Sequence, residues 1–135
     1  MSSHALVARS NDALRINPNT PLYTGTSDIN ITTHGSDWYW AVTAVMATFT
    51  LIFVGLSFTV PRRARIFHYI TAAITMTASV AYFTMASNLG YTPIRVEYQR
   101  SNSKVAGLYR EIFYVRYIDW VITTPVSTCH RLSLN

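Results

Sequence analysis

Arg116, Asp119, Trp120 and Thr123 stand out in this chain because two of them carry charge inside an otherwise apolar run. At 100° per residue on a helix, the four fall within about 100° of arc. One face thus carries a guanidinium, a carboxylate, a large aromatic plate and, one turn on, a hydroxyl. An ionised Asp or Arg at the centre of a membrane helix costs about 2.5–3.5 kcal/mol on insertion scales, so such residues mark function by default. The spacing lets Thr123 donate to Asp119 and lets Arg116 balance its charge. A fixed buried anion needs a cationic partner, or else it serves as a proton acceptor. The plainer reading is a structural Arg–Asp pair that only offsets its own burial, and the spacing alone leaves it open.

The elements around this face read as membrane helices. Trp38 to Val60 is a stretch of 23 residues without a charge, where a spanning helix needs about 20 mostly apolar ones. Trp38, Tyr39 and Trp40 open it as an interfacial aromatic belt, and Pro61 follows where a helix would end. A second run, Ile66 to Ile94, has His68 as its only ionisable group. His68, near its start, reads as an interfacial residue rather than a ligand. Ala72, Ala73, Ala78, Ser79 and Ala86 recur along it, and small residues let helices approach closely in lipid. The spacing predicts helices over about 38–60, 66–93 and 109–126, the third cut short because Ile112 to Val126 is under a normal span. Residues 1–37 are polar and predict a disordered extracellular tail without a secretory core.

Composition supports a membrane protein and excludes other classes. The 135 residues are 50% hydrophobic and 13% charged, about half the usual charge of a soluble domain. That excludes disorder for most of the length, and the single Cys129 excludes an internal disulfide framework. Eleven basic residues against six acidic give +5, but the bases punctuate apolar runs instead of forming a stripe for nucleic acid. Arg62, Arg63 and Arg65 form a knot in the short first loop; positive-inside bias puts that loop in the cytoplasm and the amino terminus outside. Arg95, Arg100, Lys104 and Arg110 in the second loop oppose this mildly, while Asn30-Ile31-Thr32 is a glycosylation sequon that suits an outside amino terminus. No metal-ligand cluster or enzymatic constellation is evident.

The ten residues Arg116-Tyr117-Ile118-Asp119-Trp120-Val121-Ile122-Thr123-Thr124-Pro125 resemble the third-helix signature of microbial rhodopsins, closest to the fungal opsins. Tyr82-Phe83-Thr84-Met85 in the second run lends weaker support. The resemblance covers about residues 37 to 125 and implies an all-α membrane fold, the first three helices of a seven-helix retinal-binding bundle. It implies that Asp119 is the counterion and primary proton acceptor of the retinal Schiff base. Arg116 would couple that carboxylate to the extracellular side, and Thr123 would bond to it. Trp120 would flank the polyene; Tyr117, Thr124 and Pro125 match pocket-side positions, and Tyr82 the tyrosine of the extracellular network.

The departures matter equally. The carboxylate that reloads the Schiff base in proton pumps of this family falls at His130 here, within a polar stretch from 127 to 135 expected to lie outside the family. Val126-Ser127 can be encoded by GTAAGT, a common intron start, so residues 126–135 are expected to be read-through of an unspliced intron or a mispredicted exon end, with a deliberately short isoform as the alternative. Genomic codons other than these would dismiss the intron. Lys104, the sole lysine, sits in a polar loop and does not match the retinal-binding lysine, so this chain alone is expected not to form the pigment. The leading expectation is an amino-terminal portion of a light-driven proton transporter or photoreceptor in the plasma membrane or an endomembrane. The alternative is a non-pigmented three-helix protein that associates with its own copies or with a full-length opsin. Expected partners are membrane lipid and such subunits, with no nucleic acid.

Overall fold

The computed structural model describes residues 12–18, 27–96 and 108–132. It contains a one-turn helix α1 (Ala13–Ile16), two long helices α2 (Thr33–Ser57) and α3 (Arg65–Ala86), a hairpin of β1 (Tyr91–Arg95) and β2 (Tyr109–Phe113), and helix α4 (Val115–Leu132). Helices α2 and α3 are long and apolar enough to cross a membrane. They run antiparallel through a turn that contains Arg62 and Arg63, with α4 packed against α3.

Helix α2 begins five residues earlier than its apolar run. Thr32 supplies the reason: its hydroxyl accepts the Gly35 N–H at 3.2 Å and caps the first turn. The seam with α3 is made of small buried residues at seven-residue intervals, Ala72, Ser79 and Ala86. Without a hydrophobic drive between helices in lipid, polar bonds complete the seam. Ser36 donates to the Ala86 carbonyl at 2.7 Å, Ser79 to the Thr43 carbonyl at 3.2 Å, and Thr50 to the Thr75 hydroxyl at 2.8 Å. Trp38 is 68% exposed, as a belt residue would be.

The second helix stops at Ala86, not at residue 93. Asn88 takes a left-handed conformation (φ 56°), its N–H bonds to the Met85 carbonyl, and the Leu89 N–H reaches back to Thr84. These two bonds form a Schellman ending, which closes the helix and turns the chain. Gly90 continues the turn at φ 69°, where a Cβ would meet the Val115 Cβ at 3.3 Å. Gly90→Ala should therefore cost about 1–2 kcal/mol for the left-handed backbone, read as a lower unfolding midpoint in lipid bicelles. An unchanged midpoint would show that the turn relaxes freely.

The third helix is displaced relative to the expectation of 109–126. Tyr109–Phe113 pair antiparallel with Tyr91–Arg95, Tyr91 opposite Phe113 and Arg95 opposite Tyr109. The Tyr, Ile and Phe of this stretch suit a strand, and pairing satisfies the backbone that a lone polar loop would leave open. Helix α4 then runs 18 residues, through Pro125 and on to Leu132, past the end expected at 126. Ser127 and Thr128 bond back to the carbonyls of Thr123 and Thr124 at 2.7 and 2.9 Å. Pro125 removes one backbone donor from the ladder, and the helix continues past it.

Part of the polar amino-terminal segment is also ordered. Ile29 forms a parallel bridge to Arg110, the Glu111 N–H bonds to the Ile29 carbonyl, and the Ile31 N–H donates to Glu111 Oε2 at 2.9 Å. Asn17 and Asn88 exchange with the end of α3, Asn17 Nδ2 donating to the Ser87 carbonyl at 2.8 Å and Asn88 Nδ2 to the Asn17 carbonyl at 2.9 Å. Residues 27–31 thus strap the hairpin. In α1, Arg15 bonds to the exposed Asp12 carboxylate at 2.9 Å and holds it below the usual carboxylate range.

Candidate functional site

Asp119 is the buried member of α4, 8% exposed. It points toward α3 and lines a cavity of about 310 Å³ with Met76, Thr77, Val80, Ala81, Val115, Ile118 and Ile122. Its Oδ1 is buried and makes no hydrogen bond. A carboxylate oxygen left in this state is costly unless something bonds to it. The walls are almost wholly apolar, so the cavity joins one strong acceptor to a hydrocarbon lining.

The partners expected for this carboxylate lie elsewhere. Arg116 does not pair with it: its Nη2 donates to the Tyr39 hydroxyl at 3.0 Å, with the guanidinium carbon 6.0 Å from the Tyr39 ring centre. An ion pair does form elsewhere, between Arg15 and Asp12 at 2.9 Å. Thr123 donates at 2.9 Å to the backbone carbonyl of Asp119, not to its carboxylate. The structural reason is helical geometry: a threonine hydroxyl reaches the carbonyl four residues back with no change in its rotamer.

Arg116 enters a second cavity of about 450 Å³ under the strap and hairpin, lined by Asn30, Tyr39, Arg110, Glu111 and Tyr117 among others. Tyr82 stands beside it, its ring 5.8 Å from that of Tyr39, while Phe113 meets Tyr39 edge-on at 6.0 Å. Sequence reasoning missed Tyr39 as a site residue, placing it in the aromatic belt. It lies 77 positions from Arg116, and no local pattern links them. The strap residues were missed for the same reason.

The remaining site residues share an outward face. Trp120 is 60% exposed, Tyr117 is exposed and meets Trp120 edge-on at 6.5 Å, and Thr124 and Pro125 are exposed with them. The structure therefore divides the eight candidates. Asp119 lies at one cavity, Arg116, Tyr82 and Tyr117 lie at or beside another, Thr123 is half-buried and tied to the Asp119 carbonyl, and Trp120, Thr124 and Pro125 are on open surface. Lys104 lies outside the described residues, as does the side chain of His130.

A helical membrane protein with a buried carboxylate on its third long helix and an arginine one turn before it is the class defined by this fold and site. The chain belongs to the bacteriorhodopsin-like protein family, whose model matches residues 33–133. The match extends beyond Pro125, into the stretch expected to fall outside the family. The chain is 66% identical to the opsin-like protein carO of Fusarium fujikuroi over 127 residues, covering 93% of this chain and 40% of that one. It is 35% identical over 91 residues to Opsin-1 of Neurospora crassa, covering 64% of this chain and 30% of the relative. Among solved structures, the light-driven proton pump LR (Mac) of Leptosphaeria maculans superposes with a TM-score of 0.62 at 34% identity, over 76% of this chain and 44% of that one. The light-driven proton pump CsR of Coccomyxa subellipsoidea gives 0.60 at 38% identity, over 71% and 39%. The chain thus spans about two fifths of the length of such relatives. As a member of this family it is an integral membrane protein, and the family's cofactor is retinal.

The residues fit that group. Asp119 offers a buried carboxylate with one unbonded oxygen at the wall of an apolar cavity, and such a group suits the cationic nitrogen that would join a hydrophobic aldehyde to a lysine.

Proposed function

We propose that this chain supplies the first three helices of a retinal-binding, light-driven proton transporter, with Asp119 as counterion and proton acceptor. The observation that carries the reading is the Asp119 carboxylate, buried beside an apolar cavity with one oxygen unbonded. Both proton-pump structures cited above support it. Retinal, when bound, would supply light-driven isomerisation, and the lysine nitrogen joined to it would carry the positive charge.

The chain's own groups do the rest. Asp119 accepts a proton at Oδ1, and Met76, Val80, Ile118 and Ile122 give the carboxylate an apolar surround. The Thr123 hydroxyl, tied to the Asp119 carbonyl, fixes the turn of helix that presents the carboxylate. Arg116, Tyr82 and Tyr117 form the polar exit beneath the hairpin. Trp120, Thr124 and Pro125 face the remainder of the bundle, where Trp120 flanks the ligand. The strapped hairpin lies outside the membrane and the loop bearing Arg62 and Arg63 lies in the cytoplasm, so the amino terminus is outside. Lipid surrounds α2 and α3, and other copies or full-length opsin are the expected protein partners.

The covalent link needs a lysine beyond these residues, because the only lysine in the sequence, Lys104, does not match the family's retinal-binding position. Adding all-trans-retinal should give a visible absorption band with the chain completed to the length of its relatives, and none with the 135 residues alone. A completed protein without such a band would overturn the reading and favour a non-pigmented membrane protein that acts by helix association.

A further inference from the structure

We propose that Tyr39 is a positioning residue that holds the Arg116 guanidinium toward the hairpin and out of reach of Asp119. The proposal rests on the reading above, in which Arg116 and Asp119 work as one unit, and adds what keeps them apart. Arg116 and Asp119 are three residues apart on α4, so a long arginine side chain can turn toward either end of its helix. The carboxylate retains an unbonded Oδ1 and the guanidinium a buried, unbonded Nε. Each would gain from meeting the other, since a charge-assisted bond outweighs a neutral one. They nevertheless make no ion pair, and Arg116 Nη2 donates instead to the Tyr39 hydroxyl at 3.0 Å.

Tyr39 is suited to that task because its ring cannot follow the arginine. Tyr82 from α3 lies at 5.8 Å on one side of it, and Phe113 from β2 at 6.0 Å edge-on. Such contacts favour one ring placement, and Tyr39 itself sits on α2, near the Ser36 bond that joins α2 to α3. Three elements therefore fix a phenol oxygen that accepts from the arginine of a fourth. Arg110 and Glu111 are the other charged groups lining the cavity. Glu111 Oε2 accepts the Ile31 N–H at 2.9 Å, and the hydrogen bond that the Arg116 guanidinium makes is to the Tyr39 oxygen. Loss of that oxygen frees Arg116 to swing to Asp119.

The test needs no chromophore and uses the 135-residue chain in lipid nanodiscs. Arginine is labelled with ¹⁵N, and aspartate and tyrosine with ¹³C. Dipolar-recoupling NMR then reports which carbon lies near the Arg116 guanidinium, with Arg116→Lys assigning its signals. The native chain should show an Arg116–Tyr39 contact and no Arg116–Asp119 contact. Tyr39→Phe keeps the ring, and should lose the first contact and gain the second. A purely packing role predicts Arg116 signals unmoved by Tyr39→Phe, and that result would overturn the proposal. Should Tyr39→Phe not assemble, Asp119→Asn decides: Arg116 signals that stay in place support the anchor, and signals that shift remove it. Failure of the pigment reading would leave all of these signals untouched, so the two fail separately.

Discussion

Asp119→Asn is expected to abolish light-dependent proton transport by the completed, retinal-supplied protein, lowering it roughly 10²–10⁴-fold, the usual contribution of a positioned acid or base. The substitution preserves shape and hydrogen-bonding capacity but removes the negative charge and the basic oxygen. No neighbour substitutes for them: Arg116 is a cation bonded to Tyr39, and the other residues lining the cavity are uncharged. The absorption maximum should also move, because the charge beside the chromophore has gone. Light-driven acidification of a vesicle suspension measures the first effect and the visible spectrum the second. Transport retained at native level by Asp119→Asn would remove Asp119 from its proposed role, whatever the colour of the protein.

The second large effect is on assembly. Ala86 is 0% exposed, and its carbonyl accepts the Ser36 hydroxyl at 2.7 Å. Ala86→Leu forces three further carbons into a seam built from Ala72, Ser79 and Ala86, and should destabilise the α2–α3 pair by about 1–3 kcal/mol. Ala73 is exposed on the same helix, so Ala73→Leu should change stability by less than about 0.5 kcal/mol. Unfolding of both variants by a detergent titration gives the comparison. Equal midpoints would show that the seam is not tightly packed.

The two long helices were legible because the membrane restricts what a chain can do. Some 20 uncharged residues in lipid have no low-cost structure but a helix, and Trp38 to Val60 declares itself by composition. Of the small residues, Ala72, Ser79 and Ala86 form the packing face, whereas Ala73 is exposed. Asp119 and Arg116 announced themselves through the cost of placing charge in an apolar run. Boundaries were less legible, since caps and strands depend on a few side chains. The Thr32 cap, the Asn88 turn and the pairing of Tyr91–Arg95 with Tyr109–Phe113 moved each helix end by several residues.

By itself, then, the sequence determined that the chain lives in a membrane, which residues carry charge there, and which family signature they form. The partners of those charges were decided only by tertiary structure. Along one helix, geometry allows Arg116 to meet Asp119, and spacing suggested that it would. In the folded chain, a tyrosine 77 positions away, braced by residues of α3 and β2, takes the arginine instead. Periodicity records which side of a helix a residue is on, but a hydrogen bond across helices depends on where two separate backbones pack.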